Sequence, residues 1–318
     1  MGRAILSAVP LDDPARRQSE VKMDQKTYDR SAEDLGNSVG LEHLNLTVPD
    51  QQLAIRFYLS GLGFTRDPYL VTGLENMWVN IGRNQIHLPV KEAQVMRGHV
   101  GLVVPSLDGL TKRLGMVKEH LAKTQFNFER RNGHVEVTCP WGNKFHCHKP
   151  DEKRFGRIVL GMPYLAFDVQ KGAADKIARF YQKVVGTPAT VEKKKGGASA
   201  KVLIGNNQHL YFNETDGKIP AYDGHHIQIY LVNFSGPHRQ LNDRGLITEE
   251  SNQHQYRFKQ IVDPDNNEPV YELEHEMRCI THPLYARPFT LVNRNPDQTN
   301  RDYRPTLDPL PWGMGPEA

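Results

Sequence analysis

From Gly40 to Asp50 the chain runs Gly-Leu-Glu-His-Leu-Asn-Leu-Thr-Val-Pro-Asp, and its polar and apolar residues alternate. Leu44, Leu46 and Val48 fall on one side, and His43, Asn45 and Thr47 on the other. That period of two marks a strand buried on one face. Asp50 then stands in a helix-capping position, and the apolar pairs Leu53/Phe57 and Ala54/Tyr58 are spaced by four, as on one helix face. A half-apolar strand followed at once by an amphipathic helix opens a layered α+β unit, in which the helix covers the strand's apolar side and leaves the histidine on the other.

The same grammar returns along the chain. The helix is expected to end near Leu62, with strands near Phe64, at Met77–Ile81 and at Gln85–Val90. At Gly98 it restarts: His99, Gly101 and Val103 alternate with Val100, Leu102 and Val104. Ser106 caps a helix carrying Leu110, Leu114, Val117 and Leu121, and strands follow at Asn127–Arg131, His134–Thr138 and Lys144–His148. These are two βαβββ units. The second half repeats the first: Phe57-Tyr58 recurs as Phe180-Tyr181, Ile81-Gly82 as Ile204-Gly205 and Asn84-Gln85 as Asn207-Gln208, each displaced by 123 residues. The Gly98 strand returns at His225–Leu231, and the turn at Pro140 returns at Asp263–Asn267. Duplication therefore gives an α+β chain of four tandem βαβββ modules in two domains. The expected organisation is a polar N-terminal arm at 1–39, a first domain at 40–150, a second at 160–278 and a Pro-, Arg- and Asn-rich tail at 279–318. Lys193–Lys195 with Gly196-Gly197 is expected to be an exposed loop and not a phosphate cradle.

Composition narrows the function classes. A net charge of +3 over 318 residues gives no argument for nucleic acid or a membrane surface. No apolar run approaches the roughly 18 residues of a spanning helix. Cys139, Cys147 and Cys279 cannot all pair and lack a CxxC spacing, which suits a reducing compartment. Acidic residues interrupt any signal-peptide pattern at the N-terminus, so the cytoplasm is the expected location.

With Leu41–Asp50, Arg-Phe-Tyr at 56–58, Gly-Leu-Gly-Phe at 61–64, Arg-Gly-His-Val-Gly-Leu-Val-Val at 97–104 and the turn before the last strand, the chain resembles the vicinal oxygen chelate superfamily over roughly residues 40–278. That superfamily includes glyoxalase I, fosfomycin-resistance transferases and extradiol ring-cleaving dioxygenases. The resemblance implies curved mixed sheets with helices outside, and a metal inside a cup whose ligands come from the first and fourth strands of each unit. Carried over by position, these are His43, His87, His99 and His146, expected together at one centre. Each lies on the polar face of its strand, while Leu44, Ile86, Val100 and Phe145 lie on the apolar one. His87 also suits an outer or proton-transfer role, because three protein ligands plus water is the usual catalytic arrangement. His148 shares the strand parity of His146, and His134 is expected to be a polar cavity or surface residue.

An imidazole set accepts Fe(II), Zn, Mn, Ni, Co or Cu. Its neutrality leaves the full charge of the ion to an anionic substrate chelating through adjacent oxygens, such as a catecholate or an enediolate. Glu136, on the same face one strand before His146, is the expected general base or substrate contact, with a solvated strand glutamate as the alternative. In the second half Tyr164 replaces the first-strand histidine and Leu210 falls opposite His87. His226 and Glu272 occupy ligand-like positions, with His209 and Tyr256 nearby. That half is expected to be a degenerate buttress, a second site or a subunit contact. The leading expectation is an Fe(II) oxygenase of the ring-cleaving type acting on a small oxygenated molecule. A glyoxalase-like lyase or isomerase with a redox-inert ion is the alternative, and a binding protein of the bleomycin-resistance type the third. Homo-oligomerisation is left open.

Overall fold

The computed structural model describes residues 29–68, 75–194, 196–287 and 289. Most of the N-terminal arm and the C-terminal tail, and Lys195 of the lysine run, lie outside them. Of the first small unit, residues 29–34 are described, and there Asp29 caps one 3-10 turn at Arg30–Glu33. The described residues from Leu35 onward belong to one compact unit.

That unit holds all four modules. The first has β1 (Ser38–Asn45), a helical segment at Gln51–Gly61, β2 (Thr65–Arg66), β3 (Asn76–Ile81) and β4 (Asn84–Pro89). The second has β5 (Gly98–Val103), a helix at Leu107–Val117, β6 (Asn127–Arg131), β7 (His134–Thr138) and β8 (Lys144–His148). The third has β9 (Gly161–Gln170), a helical segment at Ala173–Val185, β10 (Ala189–Lys194), β11 (Gly197–Gly205) and β12 (Gln208–Thr215). The fourth has β13 (His226–Leu231), a helix at Ser235–Asn242, β14 (Ile247–Asn252), β15 (Gln255–Val262) and β16 (Pro269–Cys279). The caps expected from the sequence are present: the Asp50 carboxylate accepts from the Gln52 and Leu53 amides at 2.8 and 3.0 Å, and Ser106 Oγ accepts from Gly109 N at 3.0 Å.

Within each module the first and fourth strands are parallel neighbours, so the module's first strand presents an open edge. An unpaired edge leaves a row of amides and carbonyls without partners. Antiparallel pairing of two first strands removes it, and the pairs are β1 with β13 and β5 with β9. Two eight-stranded sheets result, ordered β14-β15-β16-β13-β1-β4-β3-β2 and β10-β11-β12-β9-β5-β8-β7-β6. The first joins module one to module four, and the second joins module two to module three. Each sheet therefore takes one module from each half of the chain.

Helical packing follows the halves instead. Phe57 and Tyr58 of module one pack on Phe145 of β8, with ring centres 5.8 and 6.1 Å away, while Phe180 and Tyr181 of module three pack on Phe258 and His275 of module four. The sheets thus interlock, and the unit has no natural cut near residue 155. A polar clasp joins them. Asn84 Nδ2 donates to Leu41 O of β1 at 2.7 Å while its Oδ1 accepts from Met162 N of β9 at 2.7 Å. Gln208 bonds Leu41 N, Leu41 O and Met162 O. Beside it a Cβ on Gly205 would lie 2.9 Å from Gly40 Cα, so that crossing needs glycine.

Two stability tests follow from this packing. Asn84→Ala should cost about 1–3 kcal/mol, because it orphans the buried Met162 amide and leaves Leu41 O with Gln208 as its clasp partner; an unchanged denaturation midpoint would contradict the clasp. His275 is fully buried, with Nδ1–H donating to Leu273 O and Nε2 accepting from Tyr181 OH, both at 2.6 Å. Burial pushes its pKa down to about 3 from the ordinary histidine value of 6.5. The unfolded chain therefore takes up this proton first as pH falls, and stability is lost from about pH 6.5 downward at up to about 1.4 kcal/mol per pH unit. Replacing the pair by His275→Leu with Tyr181→Phe should remove one proton's worth of that slope in pH-dependent denaturation, and an unaltered slope would contradict it.

Candidate metal centre

The β1–β13 seam carries the first group of donors. Strand pairing is regular except at one point: Leu41 faces Ile229 and Leu44 faces Ile227, so Glu42 and His43 together oppose the single residue Gln228. This bulge breaks the alternation that the sequence displays and brings two successive side chains into one buried cluster, a known device for re-aiming residues beside active sites. His43 Nδ1 lies 3.5 Å from Glu42 Oε2. Tyr230 OH donates to Glu42 at 3.1 Å and Arg278 Nη1 at 3.0 Å.

Across the seam stand His226 and Glu276. The parallel registers make the equivalences plain: His87 lies two beyond the partner of His43 on β4, and Glu276 two beyond the partner of His226 on β16. The ligating atoms of His43, His226 and Glu276 all lie within 4.8 Å of one another, and all three residues are buried. The His43 and His226 rings meet edge to face at 5.7 Å, and His226 Nε2 is 3.6 Å from Glu276 Oε2. Arg278 and Arg257 both pair with Glu276, and Arg257 also reaches Glu274 at 2.5 Å.

Protonation states favour ligation. Burial holds His43 below its ordinary range, and holds His87 and His226 well below theirs, so the imidazoles are neutral. Burial alone would raise Glu276, but the charges of Arg278 and Arg257 outweigh it and hold the carboxyl far below the usual range. Two neutral imidazoles and a carboxylate are the deprotonated donors that a divalent ion requires. Bonds near 2.0–2.2 Å would draw these donors in by about 1–2 Å. Gln228, fully buried on the strand face of His226 and directly opposite Glu276, has neither amide atom hydrogen-bonded. The donor set and this orphaned amide fit a bound ion with a small ligand.

His87 is brought close but holds a different position. Its ring is sandwiched between His43 and Trp78, each 3.8 Å away, and its Nε2 meets Gln85 Oε1 at 3.0 Å. It shelves His43 and stands outside the converging trio.

The second sheet repeats the frame with other side chains. His99 and His146 stack at 3.8 Å as His43 and His87 do, and His99 meets Tyr164 edge to face at 5.7 Å as His43 meets His226. Tyr211 takes the position of Glu276. The four histidines expected at one centre are thus divided, His43 and His87 on one sheet and His99 and His146 on the other, because modules pair one-with-four and two-with-three. Glu136 also belongs to the second sheet; it is about 40% exposed and ion-paired to Arg131 Nε at 3.1 Å. The residue equivalent to His87 in module three is Tyr211, since Leu210 turns into the core. Glu272 is half exposed and paired with Lys259, four residues short of the buried Glu276. Parity on β16 allows 272, 274 or 276 equally, and only the register with β13 selects among them. His209 lies on β12 in the second sheet, and the Tyr256 ring packs on Phe234 and His238.

If Glu42 orients His43 through Nδ1–H, leaving Nε2 as the donor, Glu42→Gln should weaken divalent-metal affinity by roughly 10–100-fold at unchanged stoichiometry. Titration with Co(II) reads this, and equal affinity would contradict the role.

No protein-family model matches the chain, and no curated protein matches it. Among solved structures it is similar to a Bacillus subtilis protein assigned as a dioxygenase, at 14% identity and TM-score 0.54, covering 83% of this chain and 89% of that one. It is also similar to glyoxalase I from Zea mays, at 13% identity and TM-score 0.53, covering 76% and 92%. At these identities the likeness is one of fold. Among the described residues no helix is long and apolar enough to cross a membrane.

Proposed function

Because the chain has the fold of the vicinal oxygen chelate superfamily, we propose that it is a metal-dependent enzyme of that type whose working centre is His43, His226 and Glu276, and that it oxygenates a small substrate chelated through adjacent oxygens. The observation that carries the proposal is the convergence of these three donors in one buried cluster. Two histidines and one carboxylate with open positions is the donor set of non-haem Fe(II) oxygenases, which favours iron here.

When bound, the ion would supply Lewis acidity and, as Fe(II), one-electron chemistry toward O₂. The chain's own residues do the rest. Glu42 stands 3.5 Å from His43 Nδ1, and His87, backed by Trp78, supports the face of the His43 ring. Three carboxylates, Glu42, Glu274 and Glu276, face two guanidiniums, Arg257 and Arg278. That balance is one negative charge, which a divalent ion turns to one positive, matching a monoanionic catecholate or enediolate. The Gln228 amide has both a donor and an acceptor to offer such a substrate. The lyase or isomerase reading is favoured by one feature, the His87 ring stacked against His43, which places a third imidazole within reach as the fourth donor of a closed, redox-inert coordination set.

The test is anaerobic reconstitution with Fe(II), followed by O₂ uptake with a panel of catechols and enolisable diketones. Uptake with at least one substrate, lost roughly 100-fold or more in His226→Ala and Glu276→Ala, is expected. Turnover without O₂ using Zn, Ni or Co would move the assignment to the lyase class, and turnover unaffected by both variants would overturn the centre itself.

A further inference from the structure

The central position of the second sheet is closed to a metal of the kind proposed above. Tyr164 lies across Gly101 so tightly that a Cβ there would sit 2.2 Å from the phenol ring, and the partner module supplies Tyr164 and Tyr211 where the first sheet has His226 and Glu276. One strand outward, however, a different set of donors faces one side of the sheet. His134 and Glu136 are two residues apart on β7 and so share a face. Glu136 stands directly opposite His146 of β8, where cross-strand Cβ atoms lie about 4.5–5.5 Å apart.

We propose that His134, Glu136 and His146 form a second divalent-metal site, separate from the His43 centre. Their ligating atoms lie within 4.8 Å of one another. The two imidazole centres are 5.1 Å apart, and His134 Nε2 is 3.4 Å from Glu136 Oε1. That nitrogen is buried and has no hydrogen-bond partner. Arg131 holds the other carboxylate oxygen, Oε2, at 3.1 Å, which leaves Oε1 turned toward the imidazoles. His99 stacks on His146 and fixes its ring. His148, only 5% exposed, borders the group: its ring is 5.4 Å from His134, its Nε2 bonds Tyr164 OH at 2.9 Å, and its Nδ1 has no partner. A buried orphan nitrogen at the rim and another inside the trio are what an ion-binding face leaves when described without its ion. Two imidazoles with one carboxylate select a borderline transition metal such as Zn(II) or Co(II) over Mg²⁺ or Ca²⁺. The partial exposure of Glu136 leaves the remaining coordination positions open to water or a small ligand.

The site is tested on the full chain by equilibrium dialysis against Zn(II) with elemental analysis, and by Co(II) absorption. Two equivalents per chain are expected. His134→Ala with Glu136→Ala should remove one, and His226→Ala with Glu276→Ala the other. Glu136→Gln, which keeps the side-chain shape, should weaken the second equivalent by roughly tenfold or more. Two equivalents retained in both Glu136 variants would overturn the proposal, as would no metal bound after loss of His226 and Glu276. A single equivalent lost only with His134 and Glu136 would uphold this site and overturn the His43 centre, so the two assignments fail separately.

Discussion

The structure depends on how the open edges of four similar modules are closed. Each βαβββ unit leaves its first strand unpaired on one side, and the cheapest partner for that edge is another first strand running the opposite way. Pairing β1 with β13 and β5 with β9 satisfies all four edges at once. It also decides which chemistry-bearing residues meet. His43 comes to face residues nearly two hundred positions later, while His99 faces Tyr164. Function here is a consequence of sheet closure before it is a consequence of any motif.

The same closure distributes chemistry unequally between two similar frames. Both sheets keep a stacked histidine pair contributed by the first half, His43 with His87 and His99 with His146. The second half contributes His226 and Glu276 to one frame and Tyr164 and Tyr211 to the other. Buried phenols remain neutral, and burial pushes the Tyr164 hydroxyl further from ionisation. Only the first frame therefore offers an ionised carboxylate at its centre. The guanidiniums of Arg278 and Arg257 keep that carboxylate charged inside the protein.

Much of the fold was legible in the sequence. Alternation located β6, β7 and β8 to the residue, Asp50 and Ser106 announced their helices, and the 123-residue displacement revealed the duplication. These are local signals, set by the side-chain period of a strand or by a cap two or three residues from the amides it accepts from. Non-local choices left no such trace. Nothing in the alternation of His43 or His99 says which other module will lie alongside, so both were expected at one centre and stand on different sheets. The bulge that turns Glu42 and His43 into one cluster shows in the sequence only as Leu41 and Glu42 falling out of phase with the alternation that runs from His43 to Val48. On β16 three glutamates share a parity, and depth along the strand, fixed by pairing with β13, separates the exposed Glu272 from the buried Glu276.

The central claim is that one ion is held across the β1–β13 seam. Crystals grown with Fe(II) or Co(II) and measured at the metal's absorption edge test it directly. The expected anomalous peak lies about 2 Å from nitrogens of His43 and His226 and from an oxygen of Glu276. A density map with no peak among those three side chains, or with the ion gripped by His99 and His146 in their place, would contradict it.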